Sequence, residues 1–327
     1  HNYNEPTVFV MPLYPFFLAA VFKVFGFGLE GLQAARILQA AFSCLTIVLV
    51  YLTGKELFNR QTGLISAFLT AFYVPNIVTA GYLLTETLFT TALYLLSYLS
   101  VVFSKRPGAW RFSLLGAVWA AAVLIRPAIA LYPVILFIYI IFYHKIKPKA
   151  LIKLAAAMLL TFAVIMSPWW IRNFREYGDF IPLAASSGNP MLQGTYINYV
   201  QTPENTVYYK LGENAYETDR IEVETARKRI KNQLKNNFRE YIKWYTVGKT
   251  KYFWGTVFYW KEFLGIDTRF VVFMHRVILT GFIGIALAAF NNFFRYSLPI
   301  MLIIYFNAVH SVYMAFDRYA LPLIPIL

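Results

Sequence analysis

Long apolar runs recur along almost the whole chain and are separated by short polar connections. A helix needs about 20 apolar residues to cross the hydrocarbon core of a bilayer, and these runs are close to that length. Eight spans are predicted, and a ninth begins at Leu321; the eight are Ala34–Leu52, Gly63–Gly81, Leu83–Phe103, Phe112–Ile125, Ala128–Tyr143, Leu151–Trp170, Phe270–Phe290 and Ser297–Phe316. The fourth and fifth predicted spans are short, and they can cross only where the bilayer is locally thin, where other protein covers them or where polar residues flank them. The pattern predicts an all-α polytopic membrane protein.

The connections alternate in charge, and every second one is basic. The basic ones carry Lys55 and Arg60, then Lys105, Arg106 and Arg111, then Lys145, Lys147, Lys149 and Lys153. The Gly81 turn carries no charge, and the next turn carries only Arg126. Because basic loops stay on the cytoplasmic side, we expect residues 1–33, both of these turns and the long loop 171–268 to lie outside.

The segment Pro12–Phe27 is apolar enough to resemble a span, but a crossing there would invert the orientation of every later loop. We therefore expect a helix that lies on or dips into the outer face, with Pro12 and Pro15 near its start. The predicted organisation is 1–33 as part of the first outer loop, 34–170 as transmembrane helices, 171–268 as an outer domain and 269–327 as further transmembrane helices.

Within the long loop, apolar residues recur at helical spacing and predict one amphipathic helix. They are Ile230, Leu234, Phe238, Tyr241, Ile242 and Tyr245. Two interpretations stay open: this helix packs on the loop's own core, or it lies at the lipid headgroups beside Trp254 and Trp260.

Composition supports the membrane class, because 59% of residues are apolar and only 14% are charged. The net charge of +14 follows largely from the basic connections, so nucleic acid is not an expected partner. Cys44 is the only cysteine and can form no intrachain disulfide. The chain starts in polar sequence at His1 without a signal peptide and stops in the apolar stretch Leu321–Leu327, so we expect a piece of a longer protein.

Five charged residues lie at the ends of predicted spans, all on the expected outer face: Glu86, Arg126, Arg172, Asp317 and Arg318. Charges in spans are costly and often functional, although each could instead reach independently to the headgroups. Their placement on one side predicts a shared, partly cationic cavity beside the long loop. His275 and His310 are more typical of satisfied polar residues within a helix bundle.

Three arginines and an acid beside an apolar groove suit a phosphate headgroup on a lipid tail, because guanidinium binds phosphate through two parallel hydrogen bonds. Group transfer from a lipid phosphate is the expected chemistry. The sequence has no Walker loop, no Gly-x-Ser-x-Gly elbow and no Cys/His metal spacing. A transporter also fits such a cavity, but it would more often show internal repeats and charges near mid-bilayer.

At these same residues the chain resembles GT-C glycosyltransferases of the protein O-mannosyltransferase and aminoarabinose-transferase type, often called glycosyltransferase family 39. The resemblance runs along most of the chain. Its pieces are Pro12-Leu13-Tyr14-Pro15 with Leu18-Ala19 and Phe25-Gly26, Leu84-Thr85-Glu86-Thr87-Leu88-Phe89, Leu124-Ile125-Arg126-Pro127, Ser167-Pro168-Trp169-Trp170-Ile171-Arg172-Asn173 with Gly178 and Pro182, and Arg318-Tyr319-Ala320-Leu321-Pro322 with Pro325.

The resemblance implies a GT-C helix bundle that moves a sugar from a polyprenyl-phosphate donor to a protein, lipid or glycan acceptor outside the cytoplasm, usually with inversion. In such enzymes an acid in the first outer loop, upstream of Pro-Leu-Tyr-Pro, is the general base. Glu5 is the only acid there, and the expected base lies upstream of His1, with Glu5 and Glu86 as weak candidates. Arg126, Arg172 and Arg318 match motif positions, and phosphate binding is the role we infer for them. Glu86 matches as well and is expected to position the acceptor or an arginine.

We expect a plasma-membrane enzyme that needs no cofactor, with any divalent-metal requirement left open. Two alternatives remain from the sequence: a lipid-linked glycan ligase or polymerase, and a non-enzymatic lipid-sugar flippase. An Asp in an outer loop directly after a first span would favour the transferase over the flippase.

Overall fold

A computed structural model describes residues 7–327, and all regular structure in that range is helical. The first half contains α1 (Leu13–Phe25), α2 (Leu29–Leu57), α3 (Arg60–Phe72), α4 (Val74–Gly81), α5 (Glu86–Lys105), α6 (Ala109–Ile125), α7 (Tyr132–Tyr139) and α8 (Pro148–Tyr177). The second half contains α9 (Gly188–Gln193), α10 (Ala215–Asn236), α11 (Phe238–Lys243), α12 (Lys249–Gly255), α13 (Thr268–Leu279), α14 (Gly281–Val312) and α15 (Asp317–Ala320). Short 3₁₀ or π-helical turns flank α7, separate α11 from α12 and follow α15.

Five helical stretches among residues 7–327 are long and apolar enough to cross a membrane. They are Leu29–Leu57, Glu86–Lys105, Pro127–His144, Pro148–Tyr177 and Thr268–Val312. Helices α3 and α4 make a sixth if they count together, although they meet at a bend of 54°. Pro75 at the start of α4 explains the bend, since proline lacks the N–H that a continuous helix would use there. The polytopic helical class is confirmed.

The count of six differs from the eight predicted spans for two reasons. Helix α6 has 17 residues, slightly fewer than a typical span. The last two predicted spans form one stretch of 45 residues, Thr268–Val312, about twice the thickness of the hydrocarbon core if it were straight. It is not straight, because Asn292 leaves the helical region (φ −155°, ψ 83°) and its side chain caps the next turn by accepting the Arg295 N–H. This break falls between the two predicted spans.

The chain divides into two compact units. The helical unit comprises Pro12–Pro168, Val257–Ile304 and Leu321–Leu327. The loop unit comprises Trp169–Thr256, Tyr305–Ala320 and the segment that ends at Met11. The loop unit therefore contains segments from three parts of the sequence, whereas the predicted outer domain was continuous.

In the helical unit, α2 and α5 run parallel and pack against each other. The Thr46 and Thr91 hydroxyls lie 2.8 Å apart, and further along Leu49 and Val50 pack on Tyr94. Helix α3 returns closely along α2, and Gly54 and Gly63 permit that approach: a Cβ on Gly54 would lie 2.9 Å from the Gly63 Cα.

The basic connections meet at one end of the helical unit. Lys105 pairs with Glu56 there, and Arg295 donates to the carbonyl oxygen of Leu57 at 2.9 Å. Phe142, which precedes the third basic connection, stacks on Phe294. The Gly81 turn and Arg126 lie at the other ends of the same helices. This arrangement agrees with the alternation of charge in the sequence.

Helix α1 confirms a separate helix within Pro12–Phe27, and it packs against α2. In the loop unit, the single amphipathic helix predicted through Ile230–Tyr245 is wrong, because the chain leaves the helical region at Asn237 (φ −133°, ψ 43°) between α10 and α11. Tyr241 and Trp244 are buried and donate to the carbonyls of Thr195 and Gly194, both at 3.0 Å. Phe238 and Ile242 are exposed, so only part of the predicted apolar face packs on the loop's own core.

Candidate functional site

Glu86 is the first residue of α5 and is almost fully buried, with 2% of its surface exposed. The N-terminus of a helix carries partial positive charge, which favours a carboxylate at this position. Thr85, which precedes it, donates its hydroxyl to Glu86 Oε2 at 3.4 Å. The Leu-Thr-Glu-Thr motif thus places an acid at a helix start.

Arg126 ends α6 and faces Glu86, with Nη2 3.5 Å from Glu86 Oε1. Its backbone is extended (φ −145°, ψ 123°) because the following residue is Pro127, which disfavours the helical conformation. The guanidinium lies over the Phe89 ring at 5.5 Å, and 14% of the side chain is exposed. A guanidinium can bind an anion through two parallel hydrogen bonds, which makes Arg126 a candidate phosphate ligand.

The turn before Glu86 is held by polar side chains that the sequence analysis did not single out. Gln39 donates to the carbonyls of Ala80 and Tyr82 at 3.0 and 2.6 Å and accepts from the Tyr14 hydroxyl at 2.9 Å. Arg36 donates to the Gly81 carbonyl at 3.1 Å. The Tyr of the Pro-Leu-Tyr-Pro motif therefore links α1 to the turn that positions Glu86.

A cavity of about 20 Å³ lies beside Glu86 and is wide enough for about one water molecule. Its walls carry hydroxyl and amide groups from α2, α3, α4 and α5: Ser43, Thr46, Thr70, Asn76, Thr79, Thr87 and Thr90. Such a concentration of polar side chains inside an apolar bundle marks this end of the helical unit as a candidate site.

Arg172 belongs to the loop unit and contacts protein groups. It donates to the Thr7 carbonyl at 3.0 Å and to Asn173 Oδ1 at 2.9 Å, and it lies over the Trp169 ring at 5.5 Å. Asn173 is fully buried and donates to the Ile181 carbonyl at 3.2 Å. Trp170 donates to the Pro182 carbonyl at 2.9 Å. The Trp-Trp-Ile-Arg-Asn motif thus folds the following loop back onto α8.

Arg318 lies in α15, also in the loop unit. Its Nη2 donates to the Tyr319 hydroxyl at 3.0 Å, and its guanidinium lies 4.8 Å from the centre of that ring. Asp317 accepts the backbone N–H of Arg318 at 2.7 Å. Of the predicted site residues, the structure brings Glu86 and Arg126 together in the helical unit, and Arg172 and Arg318 belong to the loop unit. Glu5 lies outside the described residues.

Both singled-out histidines have polar partners, as expected. His275 is buried, and its Nδ1 lies 2.7 Å from the Tyr73 hydroxyl. His310 Nδ1 lies 2.8 Å from the Phe306 carbonyl. Within residues 7–327, no group of three or more His, Cys, Asp or Glu side chains is arranged to hold a metal ion.

Lys249 is a buried charged residue that the sequence analysis missed. Burial lowers the pKa of its ammonium group from 10.5 to about 7. The sequence offered no signal, because Lys249 is one of several lysines in a loop rich in lysine and aromatic residues.

The apolar helices and the polar end of the helical unit define a polytopic helical membrane protein with a candidate site at one end of its bundle. A family model described as dolichyl-phosphate-mannose-protein mannosyltransferase matches residues 5–171, just over half of the chain. The chain belongs to this family, and it is a membrane glycosyltransferase that uses a lipid-linked sugar donor. Searches of curated proteins and of solved structures each returned no significant match.

Proposed function

We propose that this chain transfers a sugar from a polyprenyl-phosphate donor to an acceptor on the extracytoplasmic side of the plasma membrane, with inversion at the anomeric carbon. The observation that carries the proposal is the buried Glu86–Arg126 pair at the end of the helical unit away from the basic connections. The family match supports the donor class.

In the proposed reaction the acceptor oxygen attacks the anomeric carbon from the face opposite the phosphate. The bond from the anomeric carbon to the phosphate oxygen breaks, the lipid phosphate leaves with the electron pair, and the acceptor proton passes to a general base. Negative charge grows on the departing phosphate, so a fixed guanidinium beside it stabilises the transition state more than the ground state. Arg126 is suited to this role because Glu86 and the Phe89 ring hold it in place.

Glu86 serves in this proposal to position Arg126. A general base must come within about 2.6 to 3.2 Å of the acceptor hydroxyl. The Glu86 carboxylate is buried and faces the Arg126 guanidinium, which suits a positioning role better than proton abstraction. Arg172 and Arg318 remain predicted phosphate ligands.

The charge distribution supports the proposed orientation. The end of the helical unit that carries Lys105 and Arg295 is the cytoplasmic end by the positive-inside rule, and the Glu86–Arg126 end is then extracytoplasmic.

The test measures transfer from a synthetic polyprenyl-phosphate sugar by the full-length protein in proteoliposomes. Arg126→Ala and Arg318→Ala should abolish transfer, and Arg126→Lys should restore it only partly because lysine keeps the charge and loses the bidentate fork. Lys105→Ala, at the opposite end of the helical unit, is the matched control and should retain activity near wild type. Full activity of both alanine variants would refute the phosphate role. Protein-dependent movement of intact lipid-linked sugar without transfer to any acceptor would favour the flippase instead.

A further inference from the structure

Lys249 is fully buried in α12, and its ammonium group donates to two backbone carbonyls. Nζ lies 2.7 Å from the Ser311 oxygen and 2.8 Å from the Tyr313 oxygen. It also lies 3.7 Å from the centre of the Tyr245 ring, in range for a cation–π contact. A buried ammonium is costly unless such partners compensate, so this arrangement holds the lysine and the two carbonyls together.

The two carbonyls belong to a strap, Ser311–Phe316, which comprises the last two residues of α14 and the link from α14 to α15. Two other residues contact the same strap. The Tyr199 hydroxyl accepts the Ala315 N–H at 2.7 Å. Gly194 packs directly on the strap, because a Cβ there would lie 2.4 Å from the Tyr313 oxygen and 2.9 Å from Lys249 Nζ.

The strap ends at Phe316, and Asp317 and Arg318 follow directly. Helix α12, which carries Lys249, also packs directly against α15, which carries Arg318. The Arg318 side chain rests on Tyr319, and Tyr319 stacks on His310 at 4.9 Å between ring centres. The backbone that Lys249 fixes is therefore the backbone that sets the origin of the Arg318 side chain.

We propose that Lys249 is a positioning residue: by holding the Ser311 and Tyr313 carbonyls it fixes the strap and thereby sets the Arg318 guanidinium for the donor phosphate. The functional half of this inference rests on the proposed function of Arg318. The lowered pKa of Lys249 is compatible with the role, since a neutral amine and an ammonium both have at least two N–H groups to donate.

The experiment compares Lys249→Met with Lys251→Met in the full-length protein. Both lysines lie in α12, but Lys251 is exposed, so it is the matched control. A spin label at Val312→Cys in a Cys44→Ser background reports strap mobility, and transfer assays report the KM for the polyprenyl-phosphate sugar. We expect Lys249→Met to raise label mobility and to raise KM about tenfold or more, with a smaller change in kcat, and Lys251→Met to change neither.

Tyr199→Phe provides a milder perturbation if Lys249→Met does not fold. It removes one hydrogen bond to the strap and keeps the ring, so we expect a KM increase of about two- to fivefold. The effects of Lys249→Met and Arg318→Gln on donor affinity, measured by equilibrium binding of the polyprenyl-phosphate sugar, should not add, because both act through the same guanidinium.

The experiment tests the structural part of the inference, that Lys249 fixes the strap, separately from the functional part, that the strap positions Arg318. Unchanged label mobility in Lys249→Met would overturn the proposal that Lys249 fixes the strap. Increased mobility with wild-type KM would overturn the link from the strap to Arg318. Wild-type donor affinity in Arg318→Gln itself would refute the proposed phosphate role of Arg318, whatever the label shows.

Discussion

The Glu86–Arg126 pair predicts a large and specific loss of stability when either partner is neutralised. The perturbation is Glu86→Gln, Arg126→Gln and the double variant, since glutamine keeps much of the length of each side chain. Only 2% of Glu86 and 14% of Arg126 are exposed, so bulk water has little access to replace the lost partner.

The magnitude follows from the geometry. At 3.5 Å and an effective dielectric constant of about 20, the attraction between unit charges is about 5 kcal/mol. Removing one partner of a buried pair typically costs about 3 to 5 kcal/mol, because the other charge stays buried and loses its ionic partner. The double variant should recover a substantial part of this loss. The exposed pair of Lys105 with Glu56, whose side chains are 47% and 30% exposed, should contribute about 1 kcal/mol or less.

The assay is equilibrium unfolding of the full-length protein in mixed micelles, with Lys105→Gln as the control for loss of an ion pair. A double-mutant cycle isolates the coupling between Glu86 and Arg126. Two results would refute the view that Glu86 holds Arg126. The first is that the stability losses of the two single variants add to within about 0.5 kcal/mol in the double variant. The second is that the single variants are as stable as Lys105→Gln. Transfer activity should be lost in all three site variants, including the more stable double variant.

Two further predictions concern topology and the buried lysine. Cysteines at Lys147 and Glu213 in a Cys44→Ser background should react with an impermeant reagent from opposite sides of the membrane, and labelling from one side would overturn the proposed orientation. The unfolded chain keeps the Lys249 proton up to pH 10.5, whereas the folded protein releases it near pH 7, so stability relative to Lys249→Met should rise with pH across that window. The free energy of unfolding of the wild type relative to Lys249→Met should rise by about 1.4 kcal/mol per pH unit. If unfolding measured across this pH range shows the same pH dependence for both proteins, the lowered pKa of Lys249 is contradicted.

Apolar periodicity was sufficient to predict the helical membrane class and the turn at Arg126–Pro127, and the alternation of loop charge distinguished the helix after Pro12 from the predicted spans. It did not predict the bend between α3 and α4, because an apolar run has the same hydropathy whether its helix is straight or broken. Pro75 was the available signal for that bend. The break at Asn237 was missed for a related reason: the apolar spacing continues across it, and only the backbone of one polar residue departs from the helix.

The proximity of Glu86 and Arg126 was predictable, because both were expected at the same end of adjacent spans. The environment of Lys249 was not, because its partners are the backbone carbonyls of Ser311 and Tyr313, more than 60 positions along the chain. A carbonyl partner leaves no trace in residue identity. The burial of a lysine against backbone carbonyls can therefore be recognised only once the fold is known.

The placement of the predicted site residues follows from the physics of helices in lipid. Backbone groups inside a bilayer must be hydrogen-bonded within the helix, so irregular backbone and charged side chains are tolerated mainly near helix ends or in polar cavities. Glu86 begins α5, Arg126 ends α6 beside a proline, and Arg318 follows the end of α14. In each case the residues that start or stop the helix also fix the origin of the charged side chain, which is why motifs such as Arg-Pro join a helix terminator to a charge. A substitution that only extends a helix, such as Pro127→Ala, should therefore displace Arg126 from Glu86 and weaken donor binding although no charge is removed.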